Sequence, residues 1–253
     1  MRGEHCVAGA SILSGIAIIL LVFVNISQIN PGSVTSGLYF AEINVEAYGA
    51  AFVGATGTTP SMYDTSTTDL MGTSKGLRQY YRWGLYNSCG YQKAGTGICN
   101  STVFGYPMDG FANILADVPT SYKTTTTDLI TSDTFIDANY NHGMSRAGSL
   151  LIFVASLASL AALITGAVKA RIFFFLATIF SSISAFLLLL GATLWTALIA
   201  KDAAVNSLIV ASKYNAGMVV TAGPALYLTW VSFALMTLSV FPYVVSCCTY
   251  RKN

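Results

Sequence analysis

Four stretches of this chain run without Asp, Glu, Lys or Arg for the roughly 20 apolar residues that a helix needs to cross a bilayer. The first holds VAGASILSGIAIILLVFV from Val7. The second is Ala147 to Val168, between Arg146 and Lys169, and the third is Ile172 to Ala200, between Arg171 and Lys201. The fourth lies inside Tyr214 to Tyr250 and is most apolar from Val219 to Val245. Spans are therefore predicted over 7–29, 146–168, 172–200 and 218–246, joined by segments 1–6, 30–145, 169–171, 201–217 and 247–253. Composition agrees: of 253 residues, 54% are hydrophobic and 9% charged, whereas a soluble domain carries about 25% charged residues. A net charge of +2 provides no basic face for nucleic acid. With 6 prolines and 12% aromatic residues, collagen and disorder are excluded as well.

A secretory signal is the competing reading of the first span, because Arg2 precedes the apolar run. That run exceeds the usual core of about 7 to 15 residues, and no small-x-small site follows Val24, which favours an uncleaved helix. Four spans put both termini on one side. The near-membrane basic residues of that side are Arg2, Lys169, Arg171, Arg251 and Lys252, with Glu4 as its acid, against Arg146, Lys201 and Lys213 opposite. The positive-inside rule makes both termini cytoplasmic, as a short start and a short tail, and places 30–145 outside as a large first loop.

Cys89 and Cys99 are the only cysteines of the two outer loops. In an oxidising compartment such a pair becomes a disulfide, worth about 3 kcal/mol on the chain-entropy estimate. A metal site is the sharper alternative, but with His142 distant and no second pair the zinc signal is weak. Asn100-Ser101-Thr102 is an N-glycosylation sequon, and Asn25-Ile26-Ser27 matches too but lies at the membrane surface. Cys6, Cys247 and Cys248 flank spans on the cytoplasmic side as palmitoylation candidates; for Cys6 a free thiol is the plainer reading, while the adjacent pair followed by Tyr250-Arg251-Lys252 favours acylation more. Strands are expected within Gly37–Tyr48, Leu77–Leu85 and Ile98–Phe104, and a short helix over Asp109–Leu115. A flexible Gly, Thr and Ser connection is expected over Gly54–Thr73, and a loop over Ser121–Thr127. The disulfide would then tie neighbouring strands of a small antiparallel sheet.

The segment Trp83-Gly84-Leu85-Tyr86-Asn87-Ser88-Cys89, followed by Cys99, resembles the claudin-type signature of Trp, Gly-Leu-Trp and two cysteines in a first outer loop, with Tyr86 standing where claudins have the second Trp. The continuation Phe104-Gly105-Tyr106-Pro107-Met108-Asp109, with Asp117-Val118-Pro119, is similar to the fungal Sur-seven/PalI family of plasma-membrane tetraspans. The four-span plan fits that family, although its members commonly carry longer cytoplasmic tails. The resemblance implies an integral membrane, mainly α fold: a left-handed four-transmembrane-helix bundle with a small disulfide-pinned antiparallel β-sheet in the large first extracellular loop. It also implies a plasma-membrane role in organising eisosome-type microdomains that bear on cell-wall integrity, endocytosis and stress response.

Groups able to do chemistry are sparse. The histidines are His5 and His142, and no nucleophile elbow, P-loop, HExxH or dinucleotide fingerprint occurs. Asp128, Asp133 and Asp137 do not have the spacing of a calcium loop. Apart from Arg146 at the edge of the second, the spans carry no ionisable carboxylate, Lys or Arg, which counts against a transporter. They do carry small residues at helical spacing: Ser11 with Gly15, Ala10 with Ser14, Ala155 with Ser159 and Ala158 with Ala162, suited to bundle packing or lateral oligomers. The expectation is a non-enzymatic protein without catalytic residues, bound metal or cofactor. Its expected partners are the lipid bilayer, other membrane proteins or further copies of itself, and cell-wall polymer. The alternative is a sensor or auxiliary channel subunit of the ambient-pH-signalling or calcium-influx type.

Overall fold

The computed structural model describes residues 2–66, 68–93, 97–168 and 170–249, with the side chains of 2–7, 171 and 246–249 outside the description. In chain order its helices and strands are α1 (Arg2–Asn25), β1 (Ala41–Asn44), α2 (Tyr48–Thr56), β2 (Tyr80–Trp83), β3 (Ser88–Tyr91), β4 (Gly97–Cys99), α3 (Gly110–Asp117), α4 (Lys123–Leu129) and α5 (Asp133–Ile136). They continue with α6 (Ala138–Ala167), α7 (Arg171–Asp202), β5 (Ile209–Val210), β6 (Tyr214–Asn215), β7 (Val219–Ala222) and α8 (Pro224–Thr249). The chain divides into a helical unit, Met1–Asn25, Gly148–Thr193 and Tyr227–Asn253, and a sheet unit, Ile26–Ala147 and Leu194–Leu226.

In the helical unit, α1, α6, α7 and α8 are long and apolar enough to cross a membrane. Buried positions recur three and four residues apart, as one face of a helix requires: Ala10, Ser14, Ala17 and Leu21 in α1, and Ile152, Ala155, Ser159 and Ala162 in α6. Large apolar side chains such as Ile12, Ile19, Leu157, Ile164, Phe175 and Phe186 point outward. Between helices, hydroxyls meet in pairs: Ser159 with Ser184 at 2.6 Å, Ser181 with Ser239 at 2.6 Å and Ser14 with Tyr243 at 3.4 Å. Two glycines make room for neighbours. A Cβ on Gly166 would stand 2.6 Å from the Tyr243 ring, and one on Gly191 would stand 3.0 Å from the Gly148 carbonyl. The expected pairs Ala10/Ser14 and Ala155/Ser159 face inward, whereas Ser11 and Gly15 are half-buried and Gly15 has open space around it.

The sheet unit is built on a five-stranded antiparallel sheet in the order β4-β3-β2-β1-β7, with a separate β5–β6 hairpin. Its core is aromatic: Phe40, Tyr48, Phe52, Tyr81, Trp83 and Phe135 are fully buried, and Phe40 packs on Trp195 with ring centroids 5.0 Å apart. At the β7 edge, Asn206 closes the backbone, its amide oxygen accepting from Val220 N at 2.7 Å and its nitrogen donating to Val220 O at 3.2 Å.

Several expectations need correction. Helix α1 stops at Asn25 instead of running on through 29. The Asn25 amide donates back to Leu21 O at 2.7 Å, and Gln28 turns left-handed at φ 54. The fourth span does not begin at 218: Val219–Ala222 is the strand β7, and the helix starts at Pro224, where a residue lacking an N–H costs no hydrogen bond. The second helix starts earlier than 146, at Ala138. In place of one strand over Gly37–Tyr48 there is β1 alone, stopped by Asn44 Oδ1 accepting from Glu46 N at 2.9 Å, and then α2. The Ile98–Phe104 strand is the shorter β4, and β3 was not foreseen. Ser121–Thr127 contains helix, because Thr127 bonds back to Lys123 O at 3.0 Å and the buried Thr126 accepts from Tyr48 Oη at 3.0 Å.

Candidate functional site

The Trp-Gly-Leu-Tyr-Asn-Ser-Cys segment forms the turn between β2 and β3, closed by Gly84 N donating to Asn87 O at 2.9 Å. A Cβ on Gly84 would run into the Ser27 carbonyl, which explains why glycine stands there. Trp83 and Leu85 are fully buried. Tyr86 stacks on Phe104 at 5.9 Å, and burial pushes its hydroxyl up to about 12. Asn100 N donates to Ser88 O at 2.9 Å, which makes Cys89 and Cys99 the narrow, non-hydrogen-bonded pair of the ladder. Their Cα atoms lie 3.9 Å apart and the disulfide joins them.

Asn100, the sequon asparagine, is half-buried and uses its amide nitrogen twice, donating to Ser88 Oγ and Tyr106 Oη, both at 2.9 Å. A glycan on that nitrogen would displace one of these bonds. Asn25 of the other sequon likewise donates to Ser156 Oγ at 2.9 Å. The thiols of Cys6, Cys247 and Cys248 lie outside the described side chains, as do Arg2, Lys169, Arg171, Arg251 and Lys252.

Three polar residues that sequence reasoning missed hold the site together. Gln28 is buried at a left-handed turn; its amide donates to the carbonyls of Thr35, Ser36 and Leu38 at 2.8, 3.2 and 2.9 Å, and its oxygen accepts from Tyr91 Oη at 2.8 Å. Burial raises the Tyr91 hydroxyl to about 12. Arg82 pairs across the strands with Glu42 at 2.6 Å, and its guanidinium lies 4.7 Å from the Tyr39 ring and 4.9 Å from the Tyr91 ring. Arg78 is buried against Asp64 at 3.0 Å and donates to the carbonyls of Ser66, at 2.9 Å, and Asp69. Beside it, Tyr81 Oη donates to Asp117 at 2.8 Å and Gly72 N to the same carboxylate at 2.5 Å. Burial raises the Asp117 carboxyl and lifts the Tyr81 hydroxyl well above its ordinary range. The Gly54–Thr73 stretch is thus fastened at several described points instead of hanging free. The signal for this was Arg78, a lone charge next to an aromatic run.

Among the described residues, no three His, Cys, Asp or Glu stand together as metal ligands. Asp133 and Asp137 are exposed, and Asp137 caps the start of α6 by accepting from Tyr140 N at 3.1 Å. Asp109 caps α3 by accepting from Ala112 N at 2.9 Å and lies 3.0 Å from His142 Nε2.

Four long apolar helices, with a small antiparallel sheet pinned by Cys89–Cys99 in the segment between helices, define a multi-pass membrane protein of claudin-like architecture. The sequence profile of the SUR7/PalI family matches residues 6–248, and the chain belongs to that family. A search of curated proteins returns no match.

Proposed function

We propose that this member of the SUR7/PalI family is a non-enzymatic plasma-membrane tetraspan that organises eisosome-type microdomains, with consequences for cell-wall integrity, endocytosis or stress response. The observation that carries the reading is the inverted packing of the helical unit. Its interior is rich in Ala and Ser with paired hydroxyls, set among larger side chains such as Ile152, Phe174, Leu188 and Tyr243, and its outer faces offer Ile, Leu and Phe to lipid and neighbouring helices. A sheet unit fastened by the Cys89–Cys99 bridge and by the Gln28, Arg78 and Arg82 interactions is a firm platform for contacts in water. Both termini are cytoplasmic in this reading and the sheet unit faces outward. The cysteine bridge, which persists in oxidising compartments, and the excess of Lys and Arg in sequence segments 1–6, 169–171 and 247–253 support that orientation.

Affinity purification of the tagged full chain in mild detergent tests the reading. Homo-oligomers that copurify with microdomain proteins are the expected result. A stoichiometric channel or receptor partner would overturn it in favour of an auxiliary or sensing subunit.

A further inference from the structure

Helix α2 ends at Thr56 because Gly57 turns left-handed at φ 72, its N–H closing the last turn on Val53 O at 2.8 Å. Pro60 then brings no N–H and keeps Thr59 out of helical backbone, so the chain leaves α2 extended. It is caught again at Met62, which is buried and accepts from Leu77 N at 2.8 Å, and at Tyr63, whose hydroxyl donates to Val45 O at 2.6 Å. Between these two anchors Thr58, Thr59 and Ser61 are exposed. The Thr58 hydroxyl meets that of Thr56 at 2.7 Å. Thr59 and Ser61 have no hydrogen-bond partner among the described residues, in side chain or backbone.

Helix α4 supplies the contrast. Thr124 and Thr127 are exposed too, yet they lie in helical backbone, and Thr127 Oγ1 donates to Lys123 O at 3.0 Å. An enzyme that modifies a hydroxyl must reach the oxygen and also the backbone on either side, which it takes in extended form. The segment after α2 meets both needs and α4 meets neither. Asn100 differs again, because its amide nitrogen already makes two hydrogen bonds, whereas at Thr59 and Ser61 no bond has to break. Ser and Thr clustered beside Pro are also the composition that carries O-linked sugar.

We propose that Thr58, Thr59 and Ser61 are O-glycosylation sites, so that the chain leaving α2 carries a small cluster of sugars. The inference rests on the reading that the sheet unit faces outward, where glycosyl transfer takes place. In the transfer a hydroxyl oxygen bonds to the anomeric carbon of a sugar carried as a phosphate ester. The bond from that carbon to the phosphate oxygen breaks, the phosphate leaves with the electron pair, and the hydroxyl proton passes to a base of the transferase. Solvated sugars there would keep neighbouring proteins off the end of α2 and leave other parts of the sheet unit to make contacts.

Peptide mass spectrometry with electron-transfer fragmentation reads the sites directly, on the full-length protein purified from the cells that naturally make it and freed of N-linked glycans. Sugar is expected on Thr58, Thr59 and Ser61, with Thr124 and Thr127 bare. Replacing the three by Ala should abolish that sugar and leave the circular dichroism unchanged, since none of the three side chains is buried. Bare residues at 58, 59 and 61 in a protein whose Cys89–Cys99 bridge is formed would overturn the proposal while leaving the outward orientation standing. Bare residues together with free thiols at Cys89 and Cys99 would overturn both. Sugar on Thr124 or Thr127 at equal or higher occupancy would overturn the proposal as well, because exposure and not extended backbone would then select the site.

Discussion

The two units of this chain bury different mixtures. The sheet unit hides Trp83, Tyr81, Tyr48, Phe40, Phe52 and Phe135, whereas the helical unit hides many small residues, Ala10, Ala155, Ala162, Ser159, Ser181 and Ser184, beside the larger Ile152, Phe174, Leu188 and Tyr243, and turns Ile12, Leu157 and Phe186 outward. Solvent explains the difference. In water each Å² of apolar surface buried returns about 25 cal/mol, so large rings go inside. In hydrocarbon that gain is absent, and helices associate through close contact of small residues and hydrogen bonds between hydroxyls. Among the described residues the ionic interactions follow the same division: Arg78–Asp64, Arg82–Glu42 and Lys93–Glu46 all lie in the sheet unit, as does the disulfide.

Breaking the buried ion pair should have the largest effect. Arg78→Met leaves Asp64 buried and uncompensated and should cost about 3–5 kcal/mol. Chemical denaturation in detergent, followed by near-ultraviolet and far-ultraviolet circular dichroism, should show loss of aromatic packing with helix content kept. Simultaneous loss of both would break the division into units. Replacing both Cys89 and Cys99 by Ser should cost about 3 kcal/mol and make stability indifferent to reductant; unchanged mobility on non-reducing gels would show that the bridge is not formed.

In the helical unit, Gly166→Ala drives a methyl toward Tyr243 and should cost about 1–3 kcal/mol, recovered in part by Tyr243→Leu. Thermal unfolding of the double variant checks the coupling, and simple additivity would refute the contact. The smallest effect belongs to Ser184→Ala, which removes one hydroxyl pair and should cost about 0.6 kcal/mol in the same assay. A loss several times larger would mean that the bundle depends on polar groups as heavily as the sheet unit does.

How much could be read in advance also differed between the units. The helices were legible because absence of charge over 20 or so residues is a strong signal. The inward rows Ala10/Ser14 and Ala155/Ser159 could be read from spacing. The glycines that bring helices together, Gly166 and Gly191, could not, since nothing in the sequence names the helix that approaches them. In the sheet unit, β2 and the cysteine bridge stood out through aromatic density and Cys placement. Strand β3, SCGY, lacks any alternation, and β7 is hidden in an apolar run that also reads as membrane helix. Gln28 looked like the polar end of a span. What makes it matter is burial, which arises from residues far away in the chain.

The central claim is that the helical unit anchors the protein while the sheet unit makes its contacts in water. Lateral mobility of the tagged chain in living cells tests it most directly, comparing the wild type with a variant carrying Val103→Ser and Phe104→Ser, two side chains 48% and 51% exposed on the sheet unit. The account predicts a wild type confined to slow cortical patches and a variant that reaches the surface but diffuses freely. Free diffusion of the wild type, or patches unchanged in the variant and lost only when outward helix residues such as Phe186 are replaced, would contradict it.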